Sequence, residues 1–429
     1  MTLEQPRSPA PIAERDRIEA LDVLRGFALL GILLLNIIGF GLPFLSYLTP
    51  SADGATGGVN FAVYVTVDVL FEGVLRTLFS MLFGAGVVIF ASTKTAGPYY
   101  RRQLLLLLFG LFNAFVLLWP GDILVPYALA GLVLYLVRDW TPRRLYAGAG
   151  VALAYLAIIY SAFCFGLSWL SEQAAEVNAS IAAGAEPSAF DRALLNQWVA
   201  VEHTVDPPAE ERAREALVRQ GSYPESLAAN ADGLFYQYRE VLPVLTFWDA
   251  LAGMLIGMGL YKAGILQAKR SRRFYVRLTA VGAAVGLSVN LTELGVRIAT
   301  DFGLQWMQQF SSPLYDIGRL GLALGFLGLV MLICQRGMLG AARHALAAVG
   351  RMALTNYLMQ SVICLFIFHD MGLGWWNELQ RYQLYFVVAG IWAFQIAFSV
   401  WWMARYRFGP MEWLWRTLTY GRVTTMRRG

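Results

Sequence analysis

Long apolar runs constrain this chain more than any other feature of its sequence. Crossing the hydrocarbon core of a bilayer takes about 20 mainly apolar residues, and about ten stretches qualify. They are residues 20–42, 74–93, 103–119, 122–138, 146–170, 243–262, 274–295, 313–335, 345–368 and 383–404. Only 15% of the residues are charged, against roughly 25% in soluble domains. The sequence therefore predicts an all-α polytopic bundle of about ten transmembrane helices in a lipid bilayer.

Lysine and arginine residues lie mainly on alternate connections between these runs. One set of connections holds nearly all of them, whereas the short loops of the other set hold Arg297 and Arg381. Because positively charged loops remain in the cytoplasm, the pattern predicts that both termini are cytoplasmic. The formal charge of +5 is then a topology signal and does not indicate a nucleic-acid partner.

One acidic segment interrupts the apolar runs. Residues 171–240 contain twelve acidic residues and five arginines, and the topology places them outside the cytoplasm. The chain is thus predicted to comprise a membrane half over residues 1–170, an acidic insert over 171–240 and a second membrane half over 241–429. The cysteines have no spacing typical of a disulfide framework or a metal site.

Glycines spaced four residues apart occur in three of the apolar runs. Such spacing allows membrane helices to approach closely. The pairs are Gly253 with Gly257, Gly282 with Gly286, and Gly321 with Gly325.

Ionisable side chains within the predicted spans are functional candidates, because each costs about 3 kcal/mol near the bilayer centre. Most of them fall in the extracytoplasmic half. They are Asp68, Glu72, Arg76, Asp122, Asp249, Asp316, Arg319 and, at the end of a span, His369. If their helices are neighbours, they enclose a polar cavity suited to general-base chemistry or to a path for an ion or solute.

Structural interpretations stay open for several of these residues. Asp22 and Arg25, at the cytoplasmic start of the first run, can be a helix-end charge beside a snorkelling arginine. Asn36, about 21 Å deeper, and Asn356 can each bond a neighbouring helix. His369 can be structural or exposed.

Two charged pairs have the spacing of ion pairs on one helix. Glu72 with Arg76 lies within an apolar run, where a site role and a structural role are both open. Glu293 with Arg297 lies at a helix end, where a structural pair is the expected role.

Two stretches resemble the YeiB-like bacterial inner-membrane proteins, a family of unknown function. The first is RIEALDVLRGFALLGILLLN at residues 17–36, and the resemblance continues through residues 76–86 and 121–124. The second comprises GRMALTNYLMQS at 350–361 and FGPMEWLWR at 408–416. The resemblance implies a multi-pass protein of the bacterial inner membrane.

The opening also resembles, more distantly, membrane acyltransferases such as heparan-alpha-glucosaminide N-acetyltransferase. Those enzymes pass an acetyl group from cytoplasmic acetyl-CoA to a sugar on the far side. The resemblance implies that Asp22 and Arg25 lie at the donor mouth, that Asn36 lies near the transfer point, and that acyl-CoA is a substrate, with no cofactor bound permanently. Basic residues such as Arg101 and Arg102 either hold the CoA phosphates or only set the topology.

This chain lacks histidine at positions where the acyltransferase and many YeiB-like sequences have one. The acyltransferase keeps one in or after its first outer loop, but residues 43–60 contain none, and many YeiB-like sequences have one where this chain has Asn113. We therefore expect Asp122, Asp68 or His369 to act as the base. The amide of Asn36 or Asn113 would orient a carbonyl or stabilise an oxyanion.

Three functions follow from the sequence. The first is acyl transfer from cytoplasmic acyl-CoA to an amine or hydroxyl of an extracytoplasmic glycan, lipid or small molecule. Its substrate contacts would come from Glu72, Arg76, Asp249, Asp316, Arg319 and Asn356. The second is transport or binding of a small polar solute by Asp122, Asp249 and Asp316, and the third is a scaffold that binds a partner through the insert. The sequence leaves open whether the chain forms an oligomer.

Overall fold

The computed structural model describes residues 18–92, 95–203, 206–303 and 314–428, and these residues fold into helices and connecting loops. Four basic residues used in the topology prediction, Arg7, Arg15, Arg17 and Lys94, lie outside the described residues. The first residue of the predicted run 313–335 does too.

The helices are named in chain order, and two helical elements, Pro142–Ala182 and Gln237–Thr246, run across the predicted boundaries at residues 170 and 240. The first part contains α1 Glu19–Gly41, α2 Gly58–Phe71, α3 Val74–Ala91, α4 Ala96–Leu111, α5 Leu124–Leu134 and α6 Pro142–Ala182. The insert contains α7 Ala189–Glu202, α8 Ala209–Gln220 and α9 Tyr223–Tyr236. The last part contains α10 Phe247–Lys262, α11 Arg272–Ala299, α12 Tyr315–Gln335, α13 Gly340–Arg351, α14 Ala353–Phe368, α15 Arg381–Arg405 and α16 Pro410–Tyr420. Two π-helical segments, Phe112–Val116 and Gln237–Thr246, extend α4 and precede α10.

Seven helical stretches within the described ranges are long and apolar enough to cross a membrane, or eight if the bent pair α13–α14 is one span. The chain is therefore an all-α multi-pass membrane protein. The predicted runs 103–119 and 122–138 correspond to α4 with its π-helical extension and to the short α5. α4 and its extension together run from Ala96 to Val116, which is long enough for a span, whereas α5 has only 11 residues; the turn at Trp119–Asp122 separates the two. The sequence of residues 60–73, apolar but interrupted by Asp68 and Glu72, predicts an interfacial or re-entrant helix that leads into the second span. Most of these residues belong to α2, which leads into α3 so that Gly58–Ala91 is one candidate span.

Close approach at the glycine pairs is confirmed. A Cβ atom added to Gly282 of α11 would lie 2.6 Å from the carbonyl oxygen of Gly321 on α12. One added to Gly257 of α10 would lie 1.9 Å from the carbonyl oxygen of Met81 on α3. These distances leave no room for a side chain, so the backbones themselves form the two interfaces.

The helix axis breaks between α2 and α3, at Glu72 and Gly73. Gly73 has a φ of 66°, and a Cβ atom there would lie 2.4 Å from the Tyr315 hydroxyl oxygen. The break frees the carbonyl of Val69, which accepts a hydrogen bond from the side chain of Asn290 at 2.7 Å. The broken helix therefore exposes Glu72 to its neighbours without leaving this carbonyl unsatisfied.

The two ends of the bundle differ. We call the end at which α1 and α4 begin and α16 packs the basic end, and the opposite end, covered by α8 and α9, the insert end. Arg219 of α8 is buried at the insert end and donates to the carbonyls of Gly39 at 3.0 Å and Leu118 at 3.2 Å. Asn230 of α9 donates to the carbonyl of Ala114 at 2.9 Å. The insert is thus packed onto the bundle through hydrogen bonds to main-chain carbonyls.

Candidate functional site

A cavity of about 310 Å³ lies at the basic end between α1, α3, α4, α14 and α16. Charged side chains line the part nearest that end: Asp22, Arg25, Arg102, Arg351, Glu412 and Arg416. The deeper part is apolar and aromatic, with Phe79, Leu106, Leu124, Tyr127 and Tyr357 among its residues. This arrangement suits an elongated ligand that has anionic groups at one end and an uncharged chain at the other.

Arg102 of the cavity faces aromatic rings and has no counter-ion among the described residues. Its guanidinium lies 3.4 Å from the ring centre of Trp415 and 5.1 Å from that of Phe90, and no carboxylate within the described ranges contacts it. Arg25, by contrast, forms an ion pair of 2.8 Å with Asp22. Arg102 is therefore the group in the cavity best prepared to receive an anion.

Glu412 is engaged elsewhere in the same cavity. Its carboxylate accepts hydrogen bonds from the backbone N–H of Leu354 at 2.6 Å and from the Thr355 hydroxyl at 2.6 Å, so that it caps the start of α14. Burial raises the pKa of this carboxyl, and the hydrogen bond from Thr355 opposes that rise. The mouth of the cavity thus keeps an excess of positive charge.

Arg101 and Arg102 were predicted together, and the structure separates them. Arg102 lines the cavity, whereas Arg101 is exposed and donates to the carbonyl of Thr419 at 3.4 Å. The two neighbours therefore form a matched pair for testing the role of the cavity.

Tyr357 joins the cavity to a buried carboxylate. Its side chain lines the cavity, and its hydroxyl donates to Asp122 Oδ1 at 3.3 Å while accepting from the backbone N–H of Ile123 at 3.1 Å. Asp122 also accepts from Asn113 Nδ2 at 2.8 Å and from the backbone N–H of Val125 at 2.9 Å. In the described part of the chain no cation pairs with Asp122, which is the environment of a general base that can take up a proton.

The structure thus brings the predicted residues Asp122 and Asn113 together and adds Tyr357, which the sequence analysis missed. Burying a tyrosine in an apolar run costs little free energy, so a criterion based on ionisable residues does not select it. Its place in the segment GRMALTNYLMQS, which carries the family resemblance, was the available signal.

Five other predicted residues form one charged network. Arg319 pairs with Asp249 and Asp316, and Arg76 pairs with Asp249 at 3.0 Å. The Tyr315 hydroxyl links Arg76 at 3.3 Å to Glu72 at 3.2 Å. Within this network, therefore, each arginine has a carboxylate partner.

Tyr127 separates this network from the cavity. Its ring lines the cavity, and its hydroxyl donates to the carbonyl of Arg76 at 3.0 Å. The network therefore packs behind the cavity wall.

The remaining predicted residues lie apart from the cavity. Asp68 forms a buried ion pair with Arg297, so the expected pairing of Arg297 with Glu293 is not its main contact. Asn356 donates to the Ser399 hydroxyl at 2.9 Å. Asn36 is half-buried outside the cavity lining, and its carbonyl accepts from the Tyr47 hydroxyl at 3.5 Å.

His369 lies at the insert end, beyond α14. Its Nδ1 accepts from the backbone N–H of Met371 at 3.0 Å, so its Nε2 carries the proton and donates to the Ser226 hydroxyl of α9 at 2.9 Å. Burial lowers the pKa of the imidazole. His369 thus connects the insert to the bundle as a neutral side chain.

Comparison with known proteins places the chain among bacterial membrane proteins without an assigned function. The model of the family described as "Protein of unknown function (DUF418)" matches residues 260–422. The chain is 33% identical over 415 residues to the uncharacterized protein YeiB of Escherichia coli K12, covering 94% of this chain and 96% of YeiB. It is 30% identical over 434 residues to the uncharacterized protein YxaH of Bacillus subtilis 168, covering 96% of each.

No solved structure matches the chain. The sequence similarity to YeiB extends over both membrane halves and the insert, and the resemblance noted at both ends of the sequence is confirmed by it. The chain therefore belongs to the YeiB-like family, a family of unknown function.

Proposed function

We propose that this protein is an inner-membrane acyltransferase that moves an acyl group from cytoplasmic acyl-CoA to an extracytoplasmic hydroxyl or amine. The observation that supports it most is the cavity at the basic end, whose mouth holds Arg102 and whose inner wall, at Tyr357, contacts the general-base candidate Asp122. In this proposal about ten helical segments cross the bilayer, with both termini and the basic end in the cytoplasm.

The charge distribution of the cavity matches the chemistry of an acyl-CoA. Guanidinium groups at the mouth, Arg25, Arg102, Arg351 and Arg416, suit the phosphates of the nucleotide end. The apolar and aromatic interior suits the pantetheine arm and the acyl group. Asp22 and Arg25 line this cavity, which agrees with the donor-mouth position that the acyltransferase resemblance implies.

The transfer step requires a base beside the thioester. The acceptor oxygen or nitrogen forms a bond to the carbonyl carbon, and the carbon–sulfur bond breaks. Asp122 takes the proton of the acceptor through Tyr357 and returns it to the departing CoA thiolate. Asn113, whose Nδ2 donates to Asp122 at 2.8 Å, positions this carboxylate.

Binding of acetyl-CoA to detergent-purified protein tests the proposal. We expect saturable binding that Arg102→Ala weakens by at least about tenfold, since a charge-assisted hydrogen bond is lost. The matched variant Arg101→Ala should bind as the wild type does, because Arg101 lies outside the cavity. If a folded, monodisperse wild-type sample binds no acetyl-CoA, the proposal is wrong.

A second candidate function is transport of a small polar solute. The break between α2 and α3 favours it, because it places Glu72 beside the network of Arg76, Asp249 and Arg319, and broken helices mark many transporter sites. Solute uptake into proteoliposomes in the absence of CoA would support this function over acyl transfer.

A further inference from the structure

Two π-helical segments lie side by side near Asp122. Phe112–Val116 carries Asn113, and Gln237–Thr246 carries Tyr238. The ring centres of Phe115 and Tyr238 are 6.2 Å apart, and Asn113 donates to the Asp122 carboxylate at 2.8 Å. Turns of π-helix are rare and are frequent at functional sites, and here two of them are in aromatic contact while the first also bonds Asp122.

Each π-helical segment also presents a buried polar atom without a hydrogen-bond partner in the described structure. These atoms are Asn113 Oδ1, on a fully buried side chain, and the Tyr238 hydroxyl oxygen. Buried polar groups in folded proteins are nearly always hydrogen-bonded. Because Asn113 bonds Asp122 and Phe115 of the same segment contacts Tyr238, these two atoms are candidate contacts for one bound molecule.

We propose that Asn113 and Tyr238 form the acceptor subsite of the proposed acyltransferase and that the acceptor is a neutral, hydroxyl-bearing molecule. This inference rests on the proposed function. The donor cavity reaches Asp122 through Tyr357, and Asn113 of the first π-helical segment bonds the same carboxylate. A hydroxyl held there would meet the thioester beside its base.

The chemistry of the subsite selects against charged acceptors. Asp122 has only neutral partners, so an anionic acceptor would be repelled by its charge. An ammonium group would be held in its protonated form by Asp122 and Asn113 Oδ1, and that form has no lone pair for attack. The aromatic rings of Phe115, Phe235 and Tyr238 offer apolar faces on which a sugar ring packs.

Helix α9 of the insert covers this subsite. Tyr223 donates to the carbonyl of Val116 at 2.8 Å and Asn230 to that of Ala114 at 2.9 Å, so α9 is fixed to the first π-helical segment. In this proposal the acceptor enters from the insert end, and its hydroxyl meets the thioester beside Tyr357 and Asp122. In the transfer the acceptor O–H bond and the thioester C–S bond break, an ester C–O bond forms, and the proton ends on the CoA sulfur.

Acetylation of a small panel by protein in lipid nanodiscs tests this subsite. The panel contains methyl glucoside and glycerol as neutral compounds, ethanolamine as a cation and glucose 6-phosphate as an anion, each with labelled acetyl-CoA. We expect acetylation of the neutral compounds. Tyr238→Phe, which removes one oxygen and keeps the ring, and Asn113→Ala should each raise the KM for the acceptor about tenfold and leave the acetyl-CoA Kd unchanged. Tyr236→Phe, at an exposed position of α9, is the matched control.

A labelling experiment separates failure of the subsite from failure of acyl transfer. In a variant with Cys164, Cys334 and Cys364 replaced by serine, Tyr238→Cys should react with a water-soluble maleimide, and methyl glucoside should slow that reaction. Protection without any acetyl-CoA binding would retain the subsite and reject the transferase. Acetyl-CoA binding with preferred acetylation of ethanolamine, or without protection by either neutral compound, would overturn the inference.

Discussion

Two buried charged regions lie on opposite sides of the same cavity wall, and they differ in how their charges are compensated. In the network of Glu72, Arg76, Asp249, Asp316 and Arg319, oppositely charged side chains contact one another directly. At the cavity, Arg102 faces aromatic rings and Asp122 faces neutral donors. Charges that satisfy each other hold helices together, whereas charges with neutral neighbours retain the capacity to act on a ligand.

The comparison shows why counting ionisable residues in membrane spans is not enough to locate a site. Both regions contain residues that the cost of burial marks as candidates. The two regions differ in whether a side chain of opposite charge contacts each ionisable group. That contact depends on which helices become neighbours. The cavity is therefore the better candidate, although the network holds more charges.

The largest difference between the two regions should be in stability. Asp249→Asn removes the carboxylate shared by Arg76 and Arg319, which leaves Arg76 without its ion-pair partner and Arg319 with Asp316 alone. We expect a loss of about 3–5 kcal/mol in the free energy of unfolding. Survival of monodisperse protein after heating, followed by size-exclusion chromatography, measures it. Wild-type survival of this variant would show that the network is not structural and would favour the transporter.

The matching substitution at the cavity should reduce activity strongly and change stability little. Asp122→Asn removes a carboxylate whose partners are neutral, so stability should change by no more than about 1 kcal/mol. Acyl transfer should fall at least about a hundredfold, because the base is lost. Acetyl-CoA binding should persist. An Asp122→Asn variant that transfers acyl groups at the wild-type rate would remove Asp122 from the proposed mechanism.

The fold was predictable where the physical signal is local. Apolar length and the glycine pairs at Gly257 and Gly282 predicted a multi-pass bundle and two of its interfaces, because both depend on spacing along one helix. The pairing of Asp68 with Arg297 was not predictable in this way, because those side chains are 229 residues apart. The short α5 also escaped prediction, since hydropathy does not show that a turn shortens a helix.

The candidate site was predictable in part for the same reason. Asp122 was a candidate as an ionisable residue in an apolar run, and Asn113 because it stands where many YeiB-like sequences have a histidine; the two are nine positions apart in the sequence. Tyr357 is 235 residues from Asp122, and nothing in its own segment signals that contact. The assignment of Arg102 and Arg101 to different surfaces likewise depends on where α16 packs.

Lowering the pH should increase the affinity of the cavity for acetyl-CoA. The pKa of the Glu412 carboxyl is raised by burial, so it takes up a proton at a higher pH than an exposed glutamate does. As the pH falls through that pKa, the mouth loses a negative charge, and its affinity for anionic acetyl-CoA should rise a few-fold. Glu412→Gln should bind more tightly at neutral pH and show no such dependence. Binding at several pH values measures this, and an unchanged pH profile in the variant would contradict it.

The smallest expected effect concerns His369, whose lowered pKa keeps it neutral between α9 and the bundle. When the insert is released, His369 would take up a proton at the ordinary histidine pKa of about 6.5. When the insert is packed, His369 does so only at lower pH. Packing of the insert should therefore be strongest above that value and weaken as the pH falls below it, by roughly 1 kcal/mol or less. Hydrogen exchange of α9 amides should accelerate on acidification in the wild type but not in His369→Asn.

Because α9 covers Asp122 and not the charged network, faster exchange confined to α9 and Phe112–Val116 would mean that the acceptor side opens while the network stays closed. Equal acceleration around Asp249 would instead mean that the two regions open together and that their separation by Tyr127 is not maintained.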